Sequence, residues 1–197
     1  MTEAPETIFQ EHDHPLRMGE LLRLGVNRYT LYGLLERGVI ERVSRGVYRL
    51  ASRPAPAHPD LLAVAIRAPQ AVVCLVSALA FHDLTAEIPH CVNVAVPRGT
   101  HLPRLTHPPL CIRQLSRASY ATGIEEHRFD GVVVKVYCPE KTLADCFKFR
   151  NKIGMDVFLE ALRRYWTRPQ RRPSEIQRYA RLCRIEKGIT PYLEVLG

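Results

Sequence analysis

The most restrictive feature of the sequence is the stretch 19–50, in which two glycines separate two short helical segments from a pair of strands. A helix over residues 18–24 ends at Gly25, because glycine readily takes the left-handed conformation that follows a helix. Asn27 is then a favourable N-cap for a second helix over residues 28–37. Gly38 ends this second helix in the same way.

Two strands, 40–43 and 47–50, follow Gly38 and are joined by the tight turn Ser44-Arg45-Gly46. Helix, turn, helix and a basic hairpin in this order predict a winged helix-turn-helix. Only residues 7–12 have room for a preceding first helix, which would have barely two turns. We therefore expect a domain that is either truncated or partly completed by the second domain.

In a helix-turn-helix the second helix enters the major groove of DNA, and its first residues reach the base edges. Leu31, Leu34 and Leu35 share one face of this helix and should pack inward. Arginines on the hairpin suit phosphate contacts or a narrow minor groove. We expect DNA to be contacted by the following residues of the second helix and the hairpin: Asn27, Arg28, Tyr29, Thr30, Tyr32, Arg37, Arg42, Ser44, Arg45 and Arg49.

The charge distribution agrees with a polyanionic partner. The chain has a formal net charge of +8, and residues 139–197 carry thirteen basic and seven acidic residues. Arginine dominates this region and few acids are interleaved, which predicts a possible second basic surface; the alternative is the solvated face of ordinary helices. Its members are Lys148, Arg150, Lys152, Arg163, Arg164, Arg178, Arg181 and Arg184.

Three prolines, Pro54, Pro56 and Pro59, favour a linker over residues 53–59. The predicted organisation is a DNA-binding domain over residues 1–52 and a second domain over residues 60–197. In the second domain, strands 92–96, 110–115 and 132–137 precede helices 139–149, 155–166 and 175–184, the last with a capping box formed by Ser174 and Gln177. Strands followed by helices predict the α+β class.

The remaining composition predicts a cytoplasmic protein that does not contact membranes. No apolar run is long enough to span a bilayer, and the first residues lack the features of a secretory signal. In that compartment we expect the six cysteines to be reduced and mostly buried.

Residues typical of catalysis are present but do not form a recognisable pattern. The histidines and cysteines between His82 and Cys111 lack the spacing of a zinc site, and Ser77, His82 and Asp83 lack a nucleophile elbow. Asp130 is best explained by a hairpin end, and Asp145 by a helix-surface ion pair with Lys141 or Lys148. The sequence therefore predicts no enzyme activity, no bound metal ion and no cofactor. A metal-dependent nuclease and a protein-interaction module without DNA binding remain as alternatives.

Several segments resemble a known family, the AbiEi-like abortive-infection antitoxins of type IV toxin–antitoxin systems. They are LERGVIERVSRGVYRL, VCLVSALAFHDLTAEIPHCVNVAVPRG, VVVKVYCPEKTLADCFKFRNKIGMDVFLEALRRY and YARLCRIEKGITPYLEVL, within residues 16–196. The resemblance implies a transcriptional regulator that represses its own operon by binding repeats in promoter DNA. It also implies a second domain that counteracts a nucleotidyltransferase-like toxin, without requiring a stable complex with it.

Overall fold

The computed structural model describes residues 5–101, 105 and 107–195. Residues 1–4 of the predicted first domain and residues 196–197 of the predicted second domain therefore lie outside the described residues. The chain divides into two compact units. The first consists of Met1–Pro69 with the short segments Arg104–Pro108 and His127–Val134, and the second contains the remaining residues. The chain is of the predicted α+β class.

The first unit begins with the elements of a winged helix. In chain order they are α1 (Pro5–Glu11), β1 (Leu16–Arg17), α2 (Met18–Arg23), α3 (Arg28–Glu36), β2 (Ile40–Ser44) and β3 (Val47–Leu50). Among the described residues, the three strands form an antiparallel sheet in the order β1-β3-β2. The predicted helix-turn-helix and hairpin are therefore present.

The short first helix completes the small core. Ile8 and Phe9 of α1 are buried together with Leu31 and Leu34 of α3 and with Tyr48 of β3. Helix α1 contributes only these two buried apolar side chains to the core, and β1 adds Leu16 to the same cluster. Of the two expectations for this domain, truncation is wrong: the core contains a first helix from the N-terminal segment.

Helix α4 (Pro59–Arg67) follows the proline-rich segment and belongs to the first unit. Its buried Leu62 and Ile66 pack with Val47 of the hairpin in a second small apolar cluster. The compact unit thus extends to Pro69, beyond the boundary that we predicted within residues 53–59. A boundary between independently folding domains at that segment stays a prediction.

A larger, mixed sheet supplies the second unit, except that His127–Val134, around the turn between its last two strands, belong to the first unit. Its strands are β4 (Val72–Val73), β5 (Val92–Pro97), β6 (Leu110–Leu115), β7 (Ile124–Phe129) and β8 (Val132–Tyr137), and α5 (Leu75–Phe81) and α6 (Arg117–Tyr120) lie between them in sequence. Within the described residues, the strand order is β6-β5-β4-β8-β7. The β5–β6 and β4–β8 pairs are parallel, whereas β4 and β5 are antiparallel. Asp130 and Gly131 form the turn between β7 and β8, as predicted for a hairpin end.

The C-terminal third is helical: α7 (Pro139–Lys148), α8 (Arg150–Ile153), α9 (Met155–Trp166), α10 (Pro173–Cys183) and α11 (Glu186–Glu194). Phe147, Phe158, Ile176 and Ile189 of these helices share one core with Tyr137 of the sheet. Helix α10 begins with Pro173 and has Arg172 as its N-cap, without a capping hydrogen bond from a side chain. The predicted capping box at Ser174 is therefore wrong, because Ser174 already lies inside the helix.

The cysteine prediction is correct for four residues and wrong for two. Cys91 and Cys111 form a disulfide with a Cα–Cα distance of 5.9 Å, because the parallel pairing of β5 with β6 brings the beginnings of the two strands side by side. The other cysteines are free and buried: Cys74, Cys138, Cys146 and Cys183. Burial raises the pKa of the Cys183 thiol to about 11, so this thiol is protonated near neutral pH. Within the described residues, no helix is long and apolar enough to cross a membrane.

Candidate nucleic-acid interface

The turn between α2 and α3 is held by the backbone itself. Gly25 has φ +86°, and its N–H donates to the carbonyl of Leu22 at 3.2 Å. The N–H of Val26 donates to the carbonyl of Leu21 at 2.9 Å, and the Val26 side chain is buried. The start of α3 is therefore fixed relative to α2.

Helix α3 begins at Asn27, whose side-chain oxygen accepts a hydrogen bond from the N–H of Thr30 at 2.8 Å. This bond satisfies one of the free amide groups of the first turn. The structure therefore gives Asn27 a capping role, in addition to the DNA contact that we predicted for it.

The outward face of α3 presents aromatic and basic side chains. Arg28, Tyr29 and Tyr32 are exposed, and Tyr29 has 90% of its surface accessible. Thr30 is half-buried. Because Leu31 and Leu34 are completely buried, rotation of α3 about its own axis is fixed, and the exposed side chains keep one direction.

Arg37 lies at the end of α3 and is partly engaged within the unit. Its guanidinium is 3.6 Å from the carboxylate of Glu6, and its Nε donates to the carbonyl of Gly33 at 3.3 Å. The side chain is still 65% exposed. An exposed ion pair of this kind contributes little to stability, so the guanidinium can exchange this partner for a phosphate.

The hairpin presents two exposed arginines, Arg42 and Arg45. A bulge between Arg42 and Ser44 interrupts the pairing of β2 with β3, and Gly46 has φ +75° in the turn. The Arg42 guanidinium lies 5.7 Å from the centre of the Tyr48 ring. The hairpin therefore has paired strands at its base and an exposed arginine at its turn. Ser44, which we also predicted to contact DNA, is half-buried.

Arg49 is a correction to the predicted interface. Its side chain is 4% exposed and pairs with the carboxylate of Glu41. The guanidinium also donates to the carbonyls of Pro54 at 2.7 Å and Arg53 at 3.2 Å. Arg49 therefore fastens the segment after β3 to the hairpin and is not available to DNA.

Sequence reasoning missed three arginines of the same unit. Arg17 and Arg23 are exposed at the beginning of α2 and at its end. Arg67 of α4 donates to the carbonyl of Arg45 at 3.3 Å. The first two could have been found from the sequence, because the first helix of a helix-turn-helix runs close to the DNA backbone.

The predicted second basic surface is only partly assembled. Phe147 contacts the Arg150 guanidinium at 4.3 Å from its ring centre, and Gly188 at the start of α11 packs on the same ring. This contact brings the end of α7 and α8, with Lys148, Arg150 and Lys152, next to the start of α11. Arg181, Arg184 and Lys187 line a shallow pocket at the α10–α11 junction, although Arg181 also pairs with Glu186.

Other members of that predicted surface have acidic partners. Arg164 pairs with Glu160 at 2.9 Å, and Arg178 pairs with Glu175. Arg163 is exposed on α9. Below, the name "second basic surface" refers to Lys148, Arg150, Lys152, Arg181, Arg184 and Lys187. Lys187 is absent from the predicted set because the sequence does not predict helix α11.

The second unit also contains buried charges that the sequence did not reveal. Lys141 and Asp145 form an ion pair in which both side chains are almost fully buried, so the prediction of a helix-surface pair is wrong. The reason is that α5 and α10 both pack on α7. The Cys183 thiol lies 3.4 Å from Asp145, and the Lys141 ammonium lies 4.5 Å from the centre of the Tyr137 ring.

Glu140 is the third buried charged residue of α7. Its carboxylate accepts hydrogen bonds from the Tyr165 hydroxyl at 2.8 Å and from Arg172 Nε at 3.0 Å. Burial by itself would raise the pKa of Glu140, but the bonds from Arg172, the backbone and Tyr165 outweigh it and lower the pKa. Glu140 therefore joins α7, α9 and the start of α10.

In the described part of the chain, no group of three or more histidine, cysteine or acidic side chains could hold a metal ion.

A comparison with protein families matches residues 6–51 to a family model described as "Transcriptional regulator, AbiEi antitoxin". A comparison with curated proteins gives no significant match. The matched residues run from α1 to the end of the hairpin, which are the elements that carry the candidate interface. Residues 6–51 of the chain are therefore similar to the AbiEi antitoxin family of transcriptional regulators.

Proposed function

We propose that this protein is the antitoxin of a type IV toxin–antitoxin operon and represses that operon by binding repeats in its own promoter. The observation that supports this most directly is the exposed basic and aromatic face of α3 beside the arginine-bearing hairpin, within the residues that match the family. Both proposed activities, regulation and toxin neutralisation, work through binding and require no catalysis.

In the proposed complex, α3 lies in the major groove of the promoter. Arg28 is at its first position, where the positive end of the helix dipole favours phosphate. Tyr29 and Tyr32 face the base edges, and Tyr29 has no packing role because it is almost fully exposed. The hairpin places Arg42 and Arg45 against the backbone or in the adjoining minor groove.

The second basic surface is proposed to add contacts to the DNA backbone. It contains six cations, of which Arg181 pairs with Glu186, and this excess of positive charge favours a polyanion over a mixed protein surface. Such contacts carry no sequence information, so they would strengthen binding to promoter and non-promoter DNA alike.

The second unit is proposed to carry the antitoxin activity, against a nucleotidyltransferase-like toxin. This part of the proposal depends on the resemblance of residues 73–99, 132–165 and 179–196. It does not require a stable complex of the two proteins.

A promoter–reporter assay tests the regulatory part. The protein should repress a reporter that is placed behind its own promoter, and Arg28→Ala/Arg45→Ala should lose most of that repression. The matched control is Arg128→Ala/Arg171→Ala, which removes two exposed arginines from outside α3, the hairpin and the second basic surface. Repression that survives in the first variant would contradict the proposed interface.

Co-expression with the toxin tests the antitoxin part. The Arg28→Ala/Arg45→Ala variant should still rescue growth, because the proposed antitoxin activity belongs to the second unit. If the variant is present at wild-type level and fails to rescue, the assignment of the two activities to two units is wrong. Toxin and antitoxin genes should be expressed from foreign promoters, so that loss of repression does not alter toxin dosage.

A further inference from the structure

The second unit contains a cleft at the carboxyl ends of β5 and β6. The two strands are parallel and in register, so that Pro97 lies opposite Leu115 and both strands end at the same edge. The N–H of Arg98 donates to the carbonyl of Leu115 at 2.9 Å, which extends the pairing by one bond. Crevices at the carboxyl ends of neighbouring parallel strands are frequent ligand sites.

The backbone on both sides of the cleft turns away sharply. After β5 the N–H of Thr100 donates to the carbonyl of Pro97 at 3.1 Å, and Gly99 takes φ +81° within this turn. After β6 the chain enters α6 at Ser116, whose hydroxyl accepts from the N–H of Ser119. The two turns leave an opening of about 730 Å³, which is the size of a small-molecule site.

The wall of the cleft is mainly apolar and is fixed in place. Pro97, Tyr120 and Ala121 contribute to it. The Tyr120 hydroxyl donates to the carbonyl of Gln70 at 2.6 Å, and the Tyr120 carbonyl accepts from the Tyr137 hydroxyl at 2.9 Å. The Tyr120 ring is therefore held at both ends before any ligand binds, which lowers the entropy cost of binding.

Two arginines, Arg98 and Arg117, line the same cleft and are exposed. Within the described residues, neither guanidinium forms an ion pair with a carboxylate. They leave the sheet from adjacent strands, which lie about 5 Å apart. Two unpaired guanidinium groups beside a preformed apolar wall suit a ligand with a phosphate group and a flat apolar part.

We propose that this cleft binds a nucleoside phosphate, with its phosphates on Arg98 and Arg117 and its base against Tyr120 and Pro97. An aromatic ring provides a stacking surface for any base, so the site would discriminate weakly among bases. The proposed site is separate from α3 and the hairpin, and its test does not depend on DNA binding.

Isothermal titration calorimetry of the full chain without DNA tests the proposal, with ATP, UTP, adenosine and inorganic pyrophosphate as separate ligands. Both nucleotides should bind with one site per chain, whereas adenosine and pyrophosphate should each bind at least about tenfold more weakly. Arg98→Gln/Arg117→Gln should weaken nucleotide binding by about tenfold for each lost charge-assisted contact.

Two further variants test whether nucleotide binding depends on the cleft itself or only on the net charge of the protein. Arg128→Gln/Arg171→Gln removes the same charge elsewhere and should bind nucleotide as the wild type does. Ala121→Trp fills the cleft while keeping both arginines, and it should abolish binding; Ala121 is exposed, so the fold tolerates the larger side chain. The proposal is overturned by pyrophosphate binding as tightly as ATP, by undiminished binding in Arg98→Gln/Arg117→Gln or Ala121→Trp, or by no nucleotide binding at 1 mM ligand (~4 kcal/mol).

Discussion

Arg45 and Arg49 are four residues apart on one hairpin and carry the same charge, yet the fold uses them differently. Arg45 is exposed at the turn, whereas Arg49 is buried against Glu41 and two backbone carbonyls. The sequence identifies both as basic hairpin residues. It does not reveal that the proline-rich segment folds back and presents its carbonyls to only one of them.

Arg45→Ala should weaken promoter binding and lower the slope of log K against log salt by about 1, because one phosphate contact is lost. The measurement is a binding titration at several salt concentrations, with Arg128→Ala as the control. An unchanged slope would mean that the hairpin does not contact phosphate.

Arg49→Met should lower the stability of the protein and leave its DNA affinity unchanged. It leaves the carbonyls of Pro54 and Arg53 without their donor, which should cost about 2 kcal/mol of unfolding free energy. DNA affinity measured per folded molecule should stay the same. Urea unfolding gives the first quantity, and an affinity loss at full stability would return Arg49 to the interface.

Glu140→Gln should remove a pH-dependent part of the stability. The pKa of Glu140 is lowered in the folded protein, so its contribution is complete above the ordinary carboxyl pKa of about 4.3 and is lost as the pH falls through the lower folded value. The wild type should exceed the variant by about 2 kcal/mol at pH 7, and this difference should shrink below about pH 4. A difference that stays constant down to pH 3 would contradict this account.

At the scale of elements, the part of the chain with strong local signals is predicted well. The glycines after α2 and α3, the Asn27 cap and the basic turn lead to the winged helix that the structure contains. Strand β7 and helix α11 are the longest of the elements that the sequence does not predict. The β7 sequence IEEHRF is mostly polar, and α11 contains Gly188 and Pro191, so neither has a clear periodic pattern.

Helix α1 is the element whose role the sequence left open. Phe9→Ala should destabilise the first unit by about 3 kcal/mol, because Phe9 is 2% exposed in its core. DNA binding should fall with the folded fraction. The control is Gln10→Ala on the exposed side of the same helix, and equal stability of the two variants would show that α1 does not complete the core.

At the scale of the whole molecule, the sequence predicts the fold class and the winged-helix unit but not how charges are distributed between surface and core. Lys141 and Asp145 have the spacing of an ordinary surface pair, and only the packing of α5 and α10 on α7 buries them. The cleft beside Arg98 and Arg117 depends on the parallel register of β5 and β6, which no local pattern specifies.

The central claim is that the first unit binds promoter DNA through α3 and the hairpin. A gel-shift titration tests it most directly, with the protein's own promoter and a scrambled duplex of equal length at two salt concentrations. We predict tighter binding to the promoter, weakened by salt and reduced in Arg28→Ala/Arg45→Ala. Equal affinity for both duplexes, or full affinity in that variant, would contradict the claim.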